Sequence, residues 1–273
     1  MKSFHRWGGL LLAAAMTISA SPASATPKAW TLTWSDEFTG SAGSGPDRSR
    51  WTNDVGGDGW GNNERQYYTA GSRNAALDGS GHLKITARKE NPGGSCWYGQ
   101  CAYSSARLHT QGKFTQANGR FEAKMKLPAG QGLWPAFWML GADYDSAGWP
   151  NCGEIDVMEN VGNEPNTVYG TLHGPGYHSE NGPGGSTDAS RPLSEDFHVY
   201  AVEWSGRKIT WFLDGRAYLT LTPDNLPPGK RWVFDHGFFL LLNLAVGGDW
   251  PGSPTSGTSF PQSLTVDYIR VYR

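Results

Sequence analysis

The segment Gly153–Asn160 constrains the fold most strongly, because it alternates acidic and apolar residues at the spacing of a β-strand. One residue separates Glu154 from Asp156, so a strand turns both side chains to the same face. Regular alternation would turn Glu159 to the opposite face. A β-bulge at Val157–Met158 adds one residue and brings Glu159 back beside the other acids, and bulges are common next to active sites. The sequence therefore predicts a bulged strand with three carboxyl groups facing one cleft.

Three carboxyl groups on one face repel each other, so at least one is expected to hold its proton near neutral pH. A carboxylate paired with a carboxylic acid is what glycoside hydrolysis needs. The Cα atoms of Glu154 and Glu159 are expected about 13 Å apart, at about 3.3 Å per residue over roughly four effective steps. Side chains that lean inward can close this to about 5–5.5 Å, the separation in a retaining enzyme. Taken alone, the pattern also suits a solvated acidic edge strand or a divalent-metal site.

Turn-forming residues recur along the whole chain of 273 residues, which contains 37 glycines and 17 prolines. Long helical periods are few, and about a dozen short alternating segments predict one all-β domain of two packed antiparallel sheets with a concave cleft. The net charge of −2 and the pI near 6.4 give no electrostatic footprint for nucleic acid. The 13 tryptophans exceed what a core needs, and aromatic faces commonly hold sugar rings.

Residues 1–25 are predicted to be a secretory signal peptide, and residues 26–273 the mature domain. Lys2 and Arg6 precede an apolar run over residues 10–18, and small residues at 23–25 supply a cleavage site. The run is too short to span a bilayer, so the mature protein is expected to be extracellular, with no membrane segment. Secretion permits disulfides. Cys96 and Cys101 can close a small loop and are the preferred pair, although the sequence does not prove which of the three cysteines is unpaired.

Four tryptophans lie at positions in the sequence where their rings could line the cleft. Trp60 lies in a polar, glycine-rich loop that can either bind sugar hydroxyls or be pinned by its own tyrosines. Trp134 and Trp138 are four residues apart and share a face of one strand, although one of them can equally belong to the core. Trp250 follows a buried strand in a glycine-rich loop and offers another platform.

Two polar residues stand out on predicted strands. His173 ends one strand, a natural position for a hydrogen-bond donor but also for a structural histidine. Asn243 is the polar residue of the apolar segment 238–244, so it either bonds internally or emerges into the cleft. The glycine-, serine- and proline-rich segment Gly174–Pro192 is predicted to be a long loop over one face.

These segments resemble glycoside hydrolase family 16 over nearly the whole mature chain. G-E-I-D-V-M-E-N at 153–160 is similar to the bulged active-site motif of that family. The segments 60–69, 132–140 and 242–252 are similar to its laminarinase-like branch, and Met158 distinguishes the motif from the shorter lichenase type. The resemblance implies a β-jelly-roll and a secreted endo-β-1,3-glucanase that acts on laminarin-type β-glucan with retention of configuration and needs no cofactor for the chemistry.

The resemblance also implies a role for each acid. Glu154 is expected to be the nucleophile and Glu159 the acid/base, while Asp156 hydrogen-bonds the nucleophile. Further residues are expected along the sugar subsites: Asn62, Arg107, Trp134, Trp138, His173, Asn243 and Trp250, beside Trp60 of the polar loop.

Members of the family often hold one structural calcium ion on the convex face. The matching positions are Glu37, Gly81 and Asp267, and calcium accepts carboxylate and backbone carbonyl oxygens alike. Asp267 can equally do no more than face solvent. The chain is expected to act as a monomer.

Three other functions remain open. One is a β-glucan recognition module on the same fold, which would bind without cleaving; the presence of both Glu154 and Glu159 argues against it, and measured turnover would eliminate it. Another is a hydrolase of mixed-linkage β-1,3-1,4-glucan or of a galactan such as agarose, which product analysis distinguishes. The third is transglycosylation, which depends on how water competes with sugar acceptors.

Overall fold

Short β-strands dominate the computed structural model, which describes residues 29–273; the predicted signal peptide lies outside this range. The described residues form nineteen strands, numbered here in chain order. They are β1 Leu32–Asp36, β2 Thr52–Asn53, β3 Gln66–Tyr68, β4 Ala75–Leu77, β5 Leu83–Ala87, β6 Ser95–Cys96, β7 Gly99–Gln100, β8 Tyr103–Ser105, β9 Arg107–His109, β10 Gly119–Lys126, β11 Leu133–Gly141, β12 Glu154–Glu159, β13 Thr167–His173, β14 Gly184–Asp188, β15 His198–Ser205, β16 Lys208–Leu213, β17 Arg216–Leu221, β18 Phe238–Val246 and β19 Gln262–Tyr272.

Within the described part of the chain, helical structure is limited to short segments between strands. Helix α1 spans Tyr144–Ala147, and two 3-10 turns span Ser179–Asn181 and Pro223–Asn225. Among residues 29–273, no helix has the length and apolar character needed to cross a membrane.

Two antiparallel sheets contain most of the strands. The outer sheet has the order β17-β16-β15-β10-β19-β5-β4, with β1 also paired to β19. The inner sheet has the order β14-β13-β12-β11-β18-β9-β2. Strands β3 and β8 form a small parallel pair, and β6 and β7 a small hairpin. The predicted all-β sandwich of two antiparallel sheets is confirmed.

The core lies between the two sheets because each sheet turns alternate side chains towards the other. Phe121 of β10 and Trp204 of β15 stack in the outer sheet, and Trp204 meets Phe238 of β18 edge to face across the sandwich. All three are completely buried. Strand β18 is buried along its whole length. Its Asn243 bonds Tyr68 and Trp138, which are side chains of other strands.

One prediction about local structure was wrong. The segment Gly174–Pro192 is not an uninterrupted loop, because it contains β14, which pairs with β13 at the edge of the inner sheet. Its sequence, G-G-S-T-D, carries no apolar residue, and its burial alternates only between exposed and half-buried. An edge strand held by backbone hydrogen bonds, with neither face in the core, leaves no hydrophobic pattern in the sequence.

The cysteines divide into one bonded pair and one buried thiol. Cys96 and Cys101 form a disulfide that closes the β6–β7 hairpin. Cys152 is free and buried just before β12, and burial raises the pKa of its thiol to about 11.

Candidate active site

Strand β12 carries the predicted bulge. Opposite β11, Asp156 pairs with Trp138 and Met158 pairs with Phe137, so Val157 is the extra residue. A matching shift separates Asp156 from Glu159 on the β13 side. Consequently Val157 and Met158 both enter the hydrophobic core, while the acids turn to the other face.

Two indole N–H groups hold the two glutamates. Trp149 Nε1 donates to Glu154 Oε2 at 2.7 Å, and Trp134 Nε1 donates to Glu159 Oε1 at 3.1 Å. Because Glu154 is half-buried and Glu159 is only 8% exposed, the second carboxyl group has less access to water. The two glutamates therefore have similar donors but different solvation.

His173 closes the opposite side of the acid row. Its Nε2 lies 3.1 Å from Asp156 Oδ2 and 3.9 Å from Glu154 Oε1. It reaches this position because the last residue of β13 pairs directly with Glu154 across the strands.

Burial and like charges raise the pKa of all three acids. Burial, followed by the Asp156 charge, raises the pKa of Glu154 to about 8. Burial raises the pKa of Asp156 to about 7, against the lowering effect of a hydrogen bond with Glu154. Burial, followed by the charges of Asp156 and Glu154, raises the pKa of Glu159 well above its usual range. Glu159 is thus the better proton carrier. Glu154 is the easier to ionise, because it is less buried and both Trp149 and His173 favour its charged form.

A tryptophan of the outer sheet holds the backbone of the acid strand. Trp211 of β16 donates its Nε1 proton to the carbonyl oxygen of Asp156 at 2.7 Å, through the core. Gly170 of β13 makes room for this ring, because a Cβ atom there would lie 2.4 Å from Trp211 Cδ1. The bulge is therefore fixed from behind as well as by its strand partners.

On one side of the acids, Arg107 is held between two tryptophans. Its guanidinium carbon lies 4.8 Å from the ring centroids of both Trp60 and Trp138, and its Nε lies 2.9 Å from Asp54 Oδ2. Trp138 Nε1 in turn donates to Asn243 Oδ1 at 2.7 Å. Four predicted subsite residues therefore form one connected surface.

A buried carboxyl group lies behind this surface. Glu64 accepts hydrogen bonds from Gln66 Nε2 at 2.6 Å, Tyr68 Oη at 3.2 Å and Asn62 Nδ2 at 3.4 Å. Tyr68 Oη also accepts a hydrogen bond from Asn243 Nδ2 at 3.1 Å. Asn62 and Asn243 are therefore tied together through Glu64, although they come from distant parts of the chain.

At the other end of the acid row, Trp250 forms an exposed wall. Its ring meets Trp134 and Tyr169 edge to face, at centroid distances of 5.5 and 5.0 Å. Tyr169 donates its hydroxyl proton to Glu164. Trp250 is 43% exposed, so one face remains accessible beside the residue that holds Glu159.

The structure thus gathers the three acids and the predicted subsite residues along one face of the inner sheet, and it adds four that sequence reasoning missed. These are Trp149, Trp211, Glu64 and Tyr169. Trp149 carried one available signal, since it is a tryptophan in a proline-containing loop five residues before Glu154. Trp211 and Tyr169 make contacts with elements far apart in sequence, which no local pattern indicates. Glu64 is instead held by neighbours in its own polar segment, Asn62, Gln66 and Tyr68.

The predicted calcium positions meet on the opposite side of the molecule. Asp36 pairs with Ile269, and Val266 pairs with Leu83, so Glu37, Gly81 and Asp267 are brought near each other by strand register. Their carboxylates already have cationic partners. Arg270 binds both oxygens of Glu37 at 2.9 and 2.8 Å, and Lys124 Nζ lies 2.7 Å from Asp267 Oδ2. The donor chemistry therefore fits calcium mainly through carbonyl oxygens and the second oxygen of Asp267.

Known proteins are similar to this chain in sequence and in fold. Residues 62–270 match the sequence profile of glycosyl hydrolases family 16. A β-glucanase from Rhodothermus marinus is 45% identical over 253 residues, which cover 89% of this chain and 85% of the relative. An endo-1,3-1,4-β-glycanase from Rhizobium meliloti is 32% identical over 257 residues, which cover 89% of this chain and 51% of the relative. The laminarinase catalytic domain from Thermotoga maritima superposes with a TM-score of 0.83 at 45% identity, covering 90% of this chain and 99% of that one. The chain belongs to glycosyl hydrolase family 16.

Proposed function

We propose that the protein is an endo-β-1,3-glucanase that hydrolyses laminarin-type β-glucan with retention of anomeric configuration. The observation that carries the proposal is the bulged strand β12, which turns Glu154 and Glu159 to one tryptophan-lined face while Val157 and Met158 enter the core. The β-glucanase and laminarinase relatives support β-1,3-glucan as the substrate.

The two glutamates divide the chemistry according to their surroundings. Glu159, the more buried acid, gives its proton to the leaving glycosidic oxygen, while ionised Glu154 attacks the anomeric carbon. Glu159 then removes a proton from water, which displaces Glu154 from the sugar and restores both groups. Before the reaction, the charge of Asp156 and its hydrogen bond with Glu154 both raise the pKa of Glu154. Asp156 therefore takes up the shared proton and donates it back in a hydrogen bond to Glu154 when the nucleophile ionises.

The first test is proton NMR of the products during early digestion of laminarin, with barley β-glucan and agarose in parallel. Early β-anomer from laminarin is expected. Early α-anomer would mean inversion and would overturn the role of Glu154 as nucleophile. Binding of laminarin without any cleavage would instead support a recognition module.

The stereochemistry of rescue by azide tests each role separately, on an aryl glycoside that needs little help from an acid. In Glu154→Gly, azide takes the place of the nucleophile and gives an α-glycosyl azide. In Glu159→Ala, Glu154 still forms the glycosyl enzyme, which azide opens to a β-glycosyl azide. Interchanged products would mean that the two roles are interchanged.

A mixed-linkage β-1,3-1,4-glucanase is the second candidate, because the Rhizobium meliloti relative is named for that activity. The same barley β-glucan digestion distinguishes the two. A kcat/KM on barley β-glucan equal to or above that on laminarin would favour the second candidate without changing the mechanism.

We further propose that residues 1–25 direct secretion and that the mature chain is a monomer with one structural calcium ion at Glu37, Gly81 and Asp267. Such an ion would join the start of the chain to β19, so EDTA should lower the Tm and calcium should restore it. The N-terminal sequence of the secreted protein and its mass in solution test the other two points. Cleavage elsewhere than after Ala25 would move the boundary.

A further inference from the structure

Two of the three acids, Glu154 and Asp156, are arranged together with His173 as possible ligands of a metal ion. Each offers one ligand atom, and these atoms all lie within 4.8 Å of one another. His173 Nε2 is 3.1 Å from Asp156 Oδ2 and 3.9 Å from Glu154 Oε1. Zinc binds nitrogen and oxygen at about 2.0–2.2 Å, so two ligands of a tetrahedral ion lie about 3.3–3.5 Å apart. The distance from His173 to Asp156 is slightly shorter than this range, and the distance from His173 to Glu154 is slightly longer.

An unpaired buried oxygen points to a ligand at this position. Asp156 is 98% buried, since its relative exposure is 2%, and its Oδ2 forms no hydrogen bond. Although His173 Nε2 lies nearby, it does not satisfy that oxygen as a hydrogen-bond donor. A buried carboxylate oxygen without a donor carries a desolvation cost that a cation between it and the imidazole would remove.

The surroundings orient two of the three ligands. Trp149 Nε1 binds Glu154 Oε2 and leaves Oε1 directed towards His173, and Trp211 holds the carbonyl of Asp156. His173 Nδ1, in contrast, is buried without a partner. Outer partners of ligating histidines strengthen metal binding, so this site should bind an ion reversibly and not as a permanent structural group.

We propose that Glu154, Asp156 and His173 form a binding site for a late divalent transition-metal ion, represented by Zn²⁺, and that the bound ion blocks catalysis. The ion takes the lone pair of neutral His173 Nε2 and one oxygen of each carboxylate, and any proton on these groups goes to solvent. A fourth position faces the cleft and takes water. Because Glu154 is then a metal ligand, it cannot attack the sugar. The imidazole and two carboxylates favour Cu²⁺ and Zn²⁺ over Mg²⁺, which prefers oxygen ligands alone.

Direct metal binding tests the site without relying on the proposed glucanase activity. Zn²⁺ is titrated into the purified protein by calorimetry, with excess calcium present to fill any calcium site. One ion per chain is expected, and His173→Ala should bind it at least about tenfold more weakly. The matched control is His198→Ala, which removes another histidine paired with an aspartate, 2.7 Å from Asp214 on the outer sheet. This variant should bind zinc as the original protein does.

Two further measurements locate the ion. Co²⁺ in place of Zn²⁺ should give the visible absorption of a four-coordinate ion, and His173→Ala should lose it. In Glu159→Ala, which keeps all three ligands, saturating laminarin should weaken zinc binding because sugar and metal share the cleft. Thermal unfolding of every variant separates loss of a ligand from loss of the fold.

Each combination of zinc binding and glucan cleavage has a distinct meaning. Weaker zinc binding by His173→Ala, with unchanged binding by His198→Ala, supports a metal site at Glu154, Asp156 and His173. Equal binding by both variants, or no binding up to about 1 mM Zn²⁺, overturns it. If zinc binds as expected but the zinc-free protein cleaves no glucan, the metal site stands and the proposed function fails. If the protein cleaves glucan but binds no zinc, the proposed function stands and the metal site fails.

Discussion

Trp149 can serve two roles that an experiment can tell apart: its N–H positions Glu154, and its exposed ring can contact the sugar. Its ring is 43% exposed and can meet a sugar, while its N–H binds the proposed nucleophile at 2.7 Å. A hydrogen bond to a charged group contributes about 1.5–3 kcal/mol. The indole N–H therefore stabilises ionised Glu154 against the burial and the charge of Asp156, both of which favour its protonated form.

Trp149→Phe keeps an aromatic ring but removes this donor, so the pKa of Glu154 should rise further. The acidic limb of kcat/KM against pH should move up by about one unit, with about a tenfold loss on its acidic side. Trp97→Phe is the control, because Trp97 is also exposed but its Nε1 binds the main-chain carbonyl of Glu64. A higher KM with an unmoved pH profile would mean that Trp149 serves the sugar alone.

Asp156 should make stability depend on pH in a direction opposite to that of a salt-bridged acid. Its folded pKa is about 7, whereas an unfolded aspartic acid has a pKa of about 3.9. Between these values the folded protein holds a proton that the unfolded chain releases. The free energy of unfolding therefore falls as the pH rises through this window.

Asp156→Asn removes this penalty, because asparagine has no proton to lose. Its Tm should exceed that of the original protein at pH 8, by about 2–4 °C for each kcal/mol recovered. The gain should shrink towards pH 4. Calorimetric scans across this range measure it, with the exposed Asp224→Asn as control. A Tm difference that stays constant with pH would contradict the raised pKa.

At the scale of a single element, the bulge in β12 depends on the count of residues between the acids. Deleting Met158 leaves E-I-D-V-E, whose three acids alternate regularly and still share a face. This variant should fold, lose about 2–5 kcal/mol for the missing core side chain, and retain measurable turnover.

Deleting Val157 and Met158 together leaves E-I-D-E, which turns the last glutamate into the core and should prevent folding. Near-ultraviolet circular dichroism and Tm compare the two deletions. If both deletions lowered the Tm and the circular dichroism signal equally, the bulge would do more than turn Glu159 to the face of the other acids.

The elements that could be predicted from sequence are those whose side chains alternate between core and cleft. The bulge in strand β12 was predictable because three acids and three apolar residues cannot otherwise be sorted onto two faces. Strand β14 could not be predicted, because an edge strand of glycine, serine and threonine has no such contrast. The contact of Trp211 was equally hidden, since the packing of distant segments decides where its indole N–H points. Trp149 and Glu64 bond to near neighbours in sequence, but the irregular segments that aim them have no periodic pattern.

At the scale of the whole molecule, the site is built from both sheets and from loops that join distant strands. Trp211 of the outer sheet donates a hydrogen bond to the backbone of the acid strand. Trp250, in the loop that follows β18, packs against Trp134. Trp134 in turn holds Glu159. A sugar chain that continues past Glu159 on this side therefore meets Trp250, while Arg107 and its two tryptophans lie on the other side.

Because Trp250 lies past Glu159, the loss of kcat/KM on removing its ring should depend on the length of the substrate. Stacking on an aromatic ring contributes about 0.5–1.5 kcal/mol beyond the buried area, so Trp250→Ala should lower kcat/KM on laminarin about tenfold. Short oligosaccharides that do not reach the ring should lose much less, and Trp250→Phe should restore most of the activity. Leu32→Ala is the control. It removes an exposed apolar side chain from the outer sheet and should leave kcat/KM unchanged on both long and short substrates. An equal loss on short and long substrates would instead mean that Trp250 acts only by supporting Trp134, which would place its effect on Glu159 and not on the polymer.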